Sequence, residues 1–300
     1  MENFAEERSA TPHVYVLLPV HNRRALTEQF VLCLVAQTYQ NFRLVLIDDG
    51  STDGTAEMAT GHLPGTAVLR GKGNWWWAGS LQQGLDWLRR EGIAEKALIL
   101  MINDDLKVGP EYLERAVRLM AGKQKTFLLS QFHGAIEGIA EENGTHVDLK
   151  TLDFSVAESP DQINCLSTQG LFAYWKDVEA VGDFHPRLLP HYLSDYEYTI
   201  RAHRLGFMLE TSPELLIDLN RDSTGYHKIA EKNFWVFLKK FFSVKSPGNP
   251  IYFSVFVVLA CPRRWIAGNL FRIWNNTRKG ITRGLKDSVK HAISNRAVRL

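Results

Sequence analysis

Short apolar runs alternate with amphipathic stretches along residues 14–121. The apolar runs have the length of buried strands, and the amphipathic stretches carry apolar residues at the spacing of a helix. This alternation is typical of the α/β class with a doubly wound, mostly parallel, Rossmann-like sheet. The predicted strands are 14–19, 43–48, 66–70 and 97–102, and the predicted helices are 25–37, 52–60, 79–91 and 110–121. Beyond residue 127 the pattern becomes mixed, with strands near 127–132 and 169–175 and a helix over 195–205.

Two of the predicted strands end in carboxylates. Asp48 and Asp49 follow the apolar run 44–47, and the triplet NDD at 103–105 follows the run 97–102. In an open α/β sheet, ligands bind in the crevice beyond the carboxyl ends of parallel strands. We therefore expect these acidic side chains to line one pocket, which suits a cation and a polyanion bound together.

Four motifs taken together resemble the inverting family 2 glycosyltransferases of the GT-A fold, and the Trp-rich loop at 75–77 resembles the rhamnosyltransferase-like enzymes of bacterial surface polysaccharides. The four motifs are VYVLLPVHN at 14–22, DDGSTDGT at 48–55, NDD at 103–105, and SDYE at 194–197 followed by Arg201. Each motif alone is weak, but all four occur in the family's order. The resemblance implies transfer of a sugar from a nucleotide-diphosphate donor to an acceptor hydroxyl, with inversion at the anomeric carbon and usually with a divalent metal.

The resemblance also assigns residues to the donor nucleotide. The turn after the first strand would lie under the base, an aspartate at the second strand end would accept hydrogen bonds from base and ribose, and a loop opening the third helix would close over the donor. These residues are Pro19, Val20, His21, Asn22, Asp48, Asp49, Asn74, Gly79, Asn103 and Asp104. The alternative is structural: a plain strand-to-helix loop at 19–22, and helix capping by Ser51, Thr52 or Asp53 around a glycine turn.

Asp105, the last residue of the DxD-like triplet, is the implied metal ligand. Mg²⁺ or Mn²⁺ takes oxygen ligands and binds through one or two carboxylates plus substrate phosphates. His227 lies where many GT-A enzymes supply a late histidine to the metal or diphosphate. The alternatives are that Asp105 caps the following turn and that His227 is structural.

Asp195 is the implied catalytic base, since the family places an acidic residue at the start of this helix. A carboxylate within hydrogen-bond reach of the acceptor hydroxyl can take its proton during attack. Glu197 lies about 200° further around a helix, so it is expected to pair with Arg201 at i+4 unless it contacts the acceptor. Simple capping by Asp195 is the alternative.

Three successive tryptophans, Trp75, Trp76 and Trp77, open the third helix of the pattern. They cannot all face one core, so at least one should be exposed enough to stack on a sugar or base. Packing of two of the three in the core is expected. His191, close to the Asp195 helix, is a further candidate for an acceptor contact.

The charge of the chain is concentrated at its C-terminal end. Residues 228–300 carry fifteen Lys or Arg against Glu231 and Asp287, a net +13, which leaves −11 for residues 1–227 of a chain with net charge +2. Aromatic and basic residues alternate there on helices expected to be too short to span a bilayer, as in an interfacial anchor on anionic lipid. Nucleic acid would satisfy the charge but not the apolar content, so a membrane surface is the expected partner.

Three well-separated cysteines without CxxC spacing fit a reduced compartment. The N-terminal residues lack the features of a signal peptide, so we expect a cytoplasmic protein peripheral to the inner face of the membrane. The predicted organisation is a flexible tail at 1–10, a GT-A domain at 11–227 and a basic, helical, membrane-associating segment at 228–300.

The sequence therefore predicts a metal-dependent inverting glycosyltransferase that uses a UDP- or dTDP-sugar and a glycan or lipid-linked glycan acceptor. One rival is a non-catalytic sugar-nucleotide or lipid-binding module of the same fold. Another is an aspartate-nucleophile phosphatase with Asp48 as nucleophile, but the acid that it needs two residues later is Gly50.

Overall fold

The computed structural model describes residues 11–132, 144–219 and 234–297. The strands are β1 (Val14–Val20), β2 (Phe42–Asp48), β3 (Ala67–Arg70), β4 (Leu98–Met101), β5 (Leu106–Val108), β6 (Thr126–Phe132), β7 (Thr145–Asp148), β8 (Asp153–Val156), β9 (Leu171–Tyr174) and β10 (Met208–Leu219). The helices are α1 (Arg24–Val35), α2 (Thr55–His62), α3 (Trp76–Glu91), α4 (Tyr112–Met120), α5 (Trp175–Val181), α6 (Ser194–Arg204), α7 (Phe234–Phe241), α8 (Pro250–Ala260) and α9 (Arg263–Ala297).

The central sheet has eight strands in the order β3-β2-β1-β4-β9-β6-β10-β5, and β7 pairs with β8 in a separate hairpin. Strands β3, β2, β1 and β4 are mutually parallel, whereas β9 is antiparallel to both β4 and β6. The predicted mostly parallel α/β sheet is confirmed. The strand order reverses between β1 and β4, so the crevice for a ligand lies beyond the carboxyl ends of these strands.

Apolar side chains cover both faces of the sheet. Alternate residues of β1 point to opposite faces: Leu18 packs with Phe30 of α1 in one core cluster, and Leu17 packs with Leu81 of α3 in the other. Because both faces of the parallel strands are buried, these strands are nearly continuous apolar runs in the sequence.

The C-terminal segment is joined to the body of the protein through α8. Phe256, which is fully buried, packs in a core cluster with Leu193 and Ile200 at the start and middle of α6. Asn269 Nδ2 donates to Leu149 O at 2.9 Å, and Arg272 Nη1 donates to Thr151 O at 2.7 Å. Helix α8 and the first part of α9 therefore belong to the folded unit that carries α6.

The tail helices differ from the prediction in length. Helix α9 has 35 residues, long enough to cross a bilayer by rise per residue, so the expectation of short tail helices was wrong for α9. Its many charged and polar side chains interrupt any apolar stretch. Within the described residues, no helix combines the length and apolarity needed to cross a membrane. The predicted boundaries near residue 10 and at 227/228 lie outside the described residues.

Candidate active site

The turn after β1 and the turn after β2 are bonded to each other at the carboxyl end of the sheet. Asn22 N donates to Ser51 Oγ at 2.9 Å, and Thr52 N donates to Asn22 Oδ1 at 2.8 Å. Asn22 has φ 49°, a left-handed conformation that asparagine tolerates better than most residues. His21 Nδ1 lies 2.6 Å from Asp49 O. The predicted 19–22 turn is thus held against the acidic loop by its own side chains.

Asp49 holds the loop that opens α3. Its carboxylate accepts four backbone N–H groups, from Gly73 at 2.8 Å, Asn74 at 3.2 Å, Trp75 at 2.7 Å and Trp76 at 3.3 Å. Four donors on a buried carboxylate use its hydrogen-bonding capacity inside the protein. The geometry therefore gives Asp49 a positioning role for this loop.

Asp48 makes fewer internal bonds than Asp49, although both are buried. Its Oδ1 accepts from Ser51 N at 2.8 Å, and its Oδ2 lies 4.0 Å from Arg70 Nη1. Asp53, by contrast, uses both oxygens within the protein: Oδ1 accepts from Thr55 N at 3.1 Å, and Oδ2 accepts from Arg24 N at 3.0 Å. Of the acidic residues in this loop, Asp48 is the one best placed to receive a donor.

Arg23 joins the two carboxylates that follow β4. Its Nη1 lies 2.9 Å from Asp104 Oδ1, and its Nη2 lies 3.1 Å from Asp105 Oδ2. Thr27 Oγ1 donates to the other oxygen of Asp104 at 2.8 Å. Burial raises the pKa of Asp104 to about 6, against the lowering effects of Arg23 and Thr27. Both oxygens of Asp104 are thus bonded within the protein. In Asp105 only Oδ2 is bonded to Arg23, and the side chain is partly exposed.

The residues after β4 fit a divalent cation that is held mainly by substrate. Among the residues that the structure describes, no cluster of three or more His, Cys, Asp or Glu forms a metal cage. Mg²⁺ commonly needs only one or two carboxylates, since phosphates and water complete its shell. Asp105 offers such a carboxylate, and Asn103 Oδ1 beside it is buried without a hydrogen-bond partner in the described structure. His227 lies outside the described residues.

Asp195 lies in the first turn of α6, where a left-handed Leu193 (φ 68°) turns the chain into the helix. Its Oδ1 accepts from Tyr196 N at 3.0 Å. Burial raises the pKa of Asp195 to about 6, and hydrogen bonds from the backbone of Tyr196 and Thr168 oppose that rise. A carboxylate with such a pKa is ionised at neutral pH and basic enough to accept a proton.

Glu197 is directed away from this role by an ion pair. Its two oxygens lie 2.9 and 3.2 Å from Nε and Nη2 of Arg201. Arg201 also donates to Val181 O at 2.6 Å and Asp183 O at 2.7 Å, so it joins α6 to the end of α5. The predicted pairing of Glu197 with Arg201 is present, and it is structural.

The tryptophan loop connects α3 to the Asp195 helix. Trp75 and Trp77 pack against the core cluster on the α3 face of the sheet, and Trp77 Nε1 donates to Thr168 Oγ1 at 3.0 Å. Trp76 has φ 57°, and its ring centre lies 6.0 Å from that of His191. The structure thus brings Trp76 and His191 together beside α6, at the start of the same helix as Asp195.

Arg23 was not among the site residues predicted from the sequence. An arginine after a turn asparagine carries no periodic signal that points to carboxylates on a distant strand. The only hint available in the sequence was chemical: two adjacent aspartates after a buried strand need a counter-charge when they are ionised.

Comparisons with known proteins give a family match and similar solved structures. The model of the family described as "Glycosyl transferase family 2" matches residues 15–175. Glycosyltransferase AglE of Haloferax volcanii is 25% identical over 218 residues, which cover 69% of this chain and 67% of that protein.

Solved structures are similar in fold at low sequence identity. TarS of S. aureus has a TM-score of 0.56 at 16% identity over 92% of this chain, which spans 53% of the TarS chain, about half its length. The mannosyltransferase PcManGT of Pyrobaculum calidifontis, in complex with GDP-Man and Mn²⁺, has a TM-score of 0.53 at 16% identity, covering 95% of this chain and 81% of that one. These similarities show the fold alone.

Proposed function

This chain belongs to glycosyl transferase family 2, and we propose that it transfers a sugar from a UDP- or dTDP-sugar to a hydroxyl of a glycan or lipid-linked glycan, with inversion. The observation that carries the proposal is Asp195, a carboxylate whose pKa is raised by burial to about 6 at the start of α6. Such a group suits a general base for an acceptor hydroxyl. The enzyme would act in cell-surface polysaccharide synthesis, as do the enzymes that the Trp-rich loop resembles.

In this mechanism the chain binds the donor at the carboxyl ends of β1, β2 and β4. Asp48 and the 19–22 turn would hold the nucleoside, while Asp49 keeps the loop over it in place. Asp195 would take the proton from the acceptor hydroxyl as its oxygen attacks the anomeric carbon from the face opposite the diphosphate. Direct displacement requires no covalent intermediate, so no nucleophilic side chain is needed.

Asp105 would hold Mg²⁺ or Mn²⁺ on the diphosphate. The chemistry supplied by the cation is neutralisation of charge on the departing nucleoside diphosphate. Arg23, already bonded to Asp104 and Asp105, brings a second positive charge to the same place. A divalent cation there fits the Mn²⁺ in the PcManGT complex.

The two rival functions are less compatible with the site. A phosphatase of this type needs an acid two residues after its nucleophile Asp48, and that residue is Gly50. A non-catalytic module has no need for a carboxylate with a raised pKa at the position of Asp195. Both rivals make predictions about binding and turnover that differ from those of a transferase.

Binding of donor is the first test. Purified protein titrated with a panel of nucleotide sugars, with Mg²⁺, Mn²⁺ or a chelator, should gain thermal stability with a UDP- or dTDP-sugar and lose that gain with chelator. A ligand at 100 times its Kd adds about 2.7 kcal/mol to the free energy of unfolding. A protein that no nucleotide sugar stabilises, with or without metal, would contradict the proposed donor.

We also propose attachment to the cytoplasmic face of a membrane through α7 and α9. Exposed aromatic residues there include Trp235 and Phe271, each 75% exposed, and Trp274 at 47%. Twelve Lys or Arg accompany them in residues 234–297, against the single acid Asp287. Aromatic side chains that enter the headgroup region and cations that face anionic lipid together suit an interfacial surface.

Flotation with vesicles tests this attachment. The protein should float with anionic vesicles at low salt and less with neutral ones, and binding should weaken without vanishing as salt rises, since screening removes only the electrostatic part. The double variant Phe271→Ser/Trp274→Ser should lose roughly tenfold or more in partitioning.

A control on another surface is Leu32→Ser/Val35→Ser, because these residues of α1 are also exposed apolar side chains, at 47% and 46%, with the same spacing. This control should float like the wild type. Failure of the wild type to float with acidic vesicles at low salt, or displacement by polynucleotide with a steep salt dependence, would favour a nucleic-acid tail instead.

A further inference from the structure

The connection between α7 and α8 carries a lysine to the active site. Lys245 Nζ lies 5.8 Å from the centre of the Trp76 ring. The connection is built around Asn249, which is 1% exposed and whose Nδ2 donates to Ser243 O at 3.1 Å. Backbone bonds from Ser246 N to Ser243 O and from Asn249 N to Ser246 O close the turn. A residue of the basic tail is therefore placed against the α3 loop by a defined turn.

The other side of Trp76 is next to His191. The two ring centres are 6.0 Å apart, and His191 Nδ1 is buried without a hydrogen-bond partner in the described part of the chain. Burial, and secondarily the charge of Lys245, lower the pKa of His191 to about 4. The imidazole is therefore neutral at physiological pH and has an unused ring nitrogen beside Trp76.

Among the ion pairs between residues that the structure describes, none involves the ammonium group of Lys245, although residues 1–227 carry a net charge of −11. Lys245 is exposed, so the N–H donors of its ammonium group can be reached by an anionic ligand. The charge is available to a ligand.

We propose that Lys245, Trp76 and His191 form a subsite for a phosphate group carried by the acceptor. The inference rests on the proposed function, which places the acceptor beside Asp195, in the same turn region as His191. The ammonium group would pair with the phosphate, the Trp76 ring would stack on the adjoining sugar, and the imidazole would hydrogen-bond to either. The donor diphosphate would be paired separately at the end of β4, with Arg23 and with the cation that Asp105 would hold.

The chemistry fits acceptors in which a phosphate lies next to the sugar that is extended. Two kinds share it: a sugar linked to a lipid through a diphosphate, and a glycan with phosphodiester links. The basic surface of α9 favours the first source for a membrane-bound enzyme, but the subsite recognises the phosphate in both.

Anion binding tests the subsite without turnover. With UDP and Mg²⁺ held at saturation to fill the donor site, inorganic phosphate should quench tryptophan fluorescence of the wild type. A charge-assisted contact is worth about 1.5–3 kcal/mol, so Lys245→Ala should weaken this phosphate binding by roughly 10- to 100-fold. Lys245→Arg should retain it, and so should the matched control Lys239→Ala, an exposed lysine of α7.

Equal phosphate affinity in the wild type and Lys245→Ala would overturn the subsite. So would loss of the quench when UDP is added, since the phosphate would then have been in the donor site. Trp76→Phe should abolish the quench while leaving phosphate binding detectable by calorimetry, which assigns the signal to this ring.

Kinetics separate the sources of the phosphate. A prenyl-diphosphate-linked sugar, a phosphodiester-linked glycan and the matching alkyl glycoside are compared as acceptors. Lys245→Ala should raise KM for the phosphate-bearing acceptors that the wild type uses, with KM for donor and for the alkyl glycoside unchanged. A rise in donor KM alone would overturn the assignment. If no nucleotide sugar supports transfer by any variant, the proposed function fails, and the calorimetric phosphate affinities still decide the subsite by themselves.

Discussion

Replacing Asp195 by asparagine is expected to slow sugar transfer by roughly 10²–10⁴-fold, the usual contribution of a general base. Asparagine keeps the size of the side chain and can still accept from Tyr196 N, so the start of α6 should be undisturbed. Donor affinity should change little, because the proposed donor contacts are at the ends of β1, β2 and β4. Transfer under single-turnover conditions and nucleotide binding by calorimetry measure the two effects separately.

The pH dependence of transfer gives a second readout for the same residue. Burial raises the pKa of Asp195 to about 6, so wild-type transfer should rise with pH, reach half its maximum near pH 6 and level off above pH 7. Burial also raises the pKa of Asp104 to about 6, so the wild-type profile alone does not identify the base. The residual activity of Asp195→Asn should lack the rise if Asp195 is the group that titrates.

Stability should depend on pH in the direction set by the same shift. An aspartate with a pKa of about 3.9 in the unfolded chain and about 6 in the folded protein binds its proton more tightly when folded. Its stabilising contribution is complete below pH 4 and is lost as pH rises through 6. Asp195→Asn removes this loss, so the variant should be no less stable than the wild type at pH 7.5. An inactive variant that is also unfolded would not support the assignment.

Glu197→Gln is the matched control, since it lies in the same helix and changes the same charge. Glu197 is bonded to Arg201 through both oxygens and is 3% exposed. The substitution weakens a buried charge-assisted pair and should cost on the order of 2 kcal/mol of folding free energy. Once folded, the variant should turn over at a rate near that of the wild type. If Asp195→Asn transfers sugar at a near-normal rate and Glu197→Gln is inactive, then Glu197 is the base and Asp195 is structural.

The sequence predicts best the elements whose burial is uniform. Strands β1 and β2 and helix α6 were predicted to within about a residue, because apolar runs or amphipathic periodicity end sharply at polar turns. The short strands β5, β7 and β8 were not predicted, since their mixed polar segments carry no clear period. Strand β10 includes Pro213 and a register shift, which conceal its pattern. The predicted strand 169–175 ends at Tyr174 because Trp175 starts α5.

The candidate site was also predicted only in part. Motifs place Asp48, Asp105 and Asp195 at element ends, and the strand or helix to which each belongs follows from the local pattern. The local pattern does not tell which carboxylate is free for a ligand, because that depends on contacts made by distant residues. Asp49 is engaged by the loop 73–76, and Asp104 by Arg23. Adjacent aspartates with the same local sequence signal therefore have different roles.

The contacts of the C-terminal segment with the rest of the protein could not be predicted from the sequence either. Its charge and aromatic content are evident in the sequence, and they predict a membrane-associating segment at 228–300. Helix α8 packs on α6 in a shared core cluster, and Lys245 reaches Trp76. Such contacts arise from tertiary packing, which composition does not encode. Removing the whole tail would thus expose the apolar surface of α6 that Phe256 covers. We therefore expect it to destabilise α6 as well as to weaken membrane attachment.

Asp105→Ala should remove metal-dependent donor binding. A cation on the diphosphate contributes several kcal/mol, so transfer should fall by about 10²–10³-fold or more, and UDP affinity should lose its dependence on Mn²⁺. Calorimetry of UDP with and without Mn²⁺, together with Mn²⁺ binding followed by electron paramagnetic resonance, gives readouts independent of turnover. Asp53→Ala is the control, since it removes hydrogen bonds to Arg24 N and Thr55 N at a cost of about 1 kcal/mol each and should leave both measurements unchanged.

Arg23 makes the outcome of this experiment informative in either direction. Its Nη2 lies 3.1 Å from Asp105 Oδ2, next to the carboxylate oxygen that is left for a metal. If Asp105 holds the cation, Arg23→Ala should leave the Mn²⁺ dependence of UDP binding in place, because the metal ligand is intact. If transfer by the wild type is insensitive to chelator and Arg23→Ala is the variant that loses UDP affinity, the arginine itself is the cation that faces the diphosphate. Asp105 would then be the residue that positions it, and the assignment of a metal to this chain would be wrong.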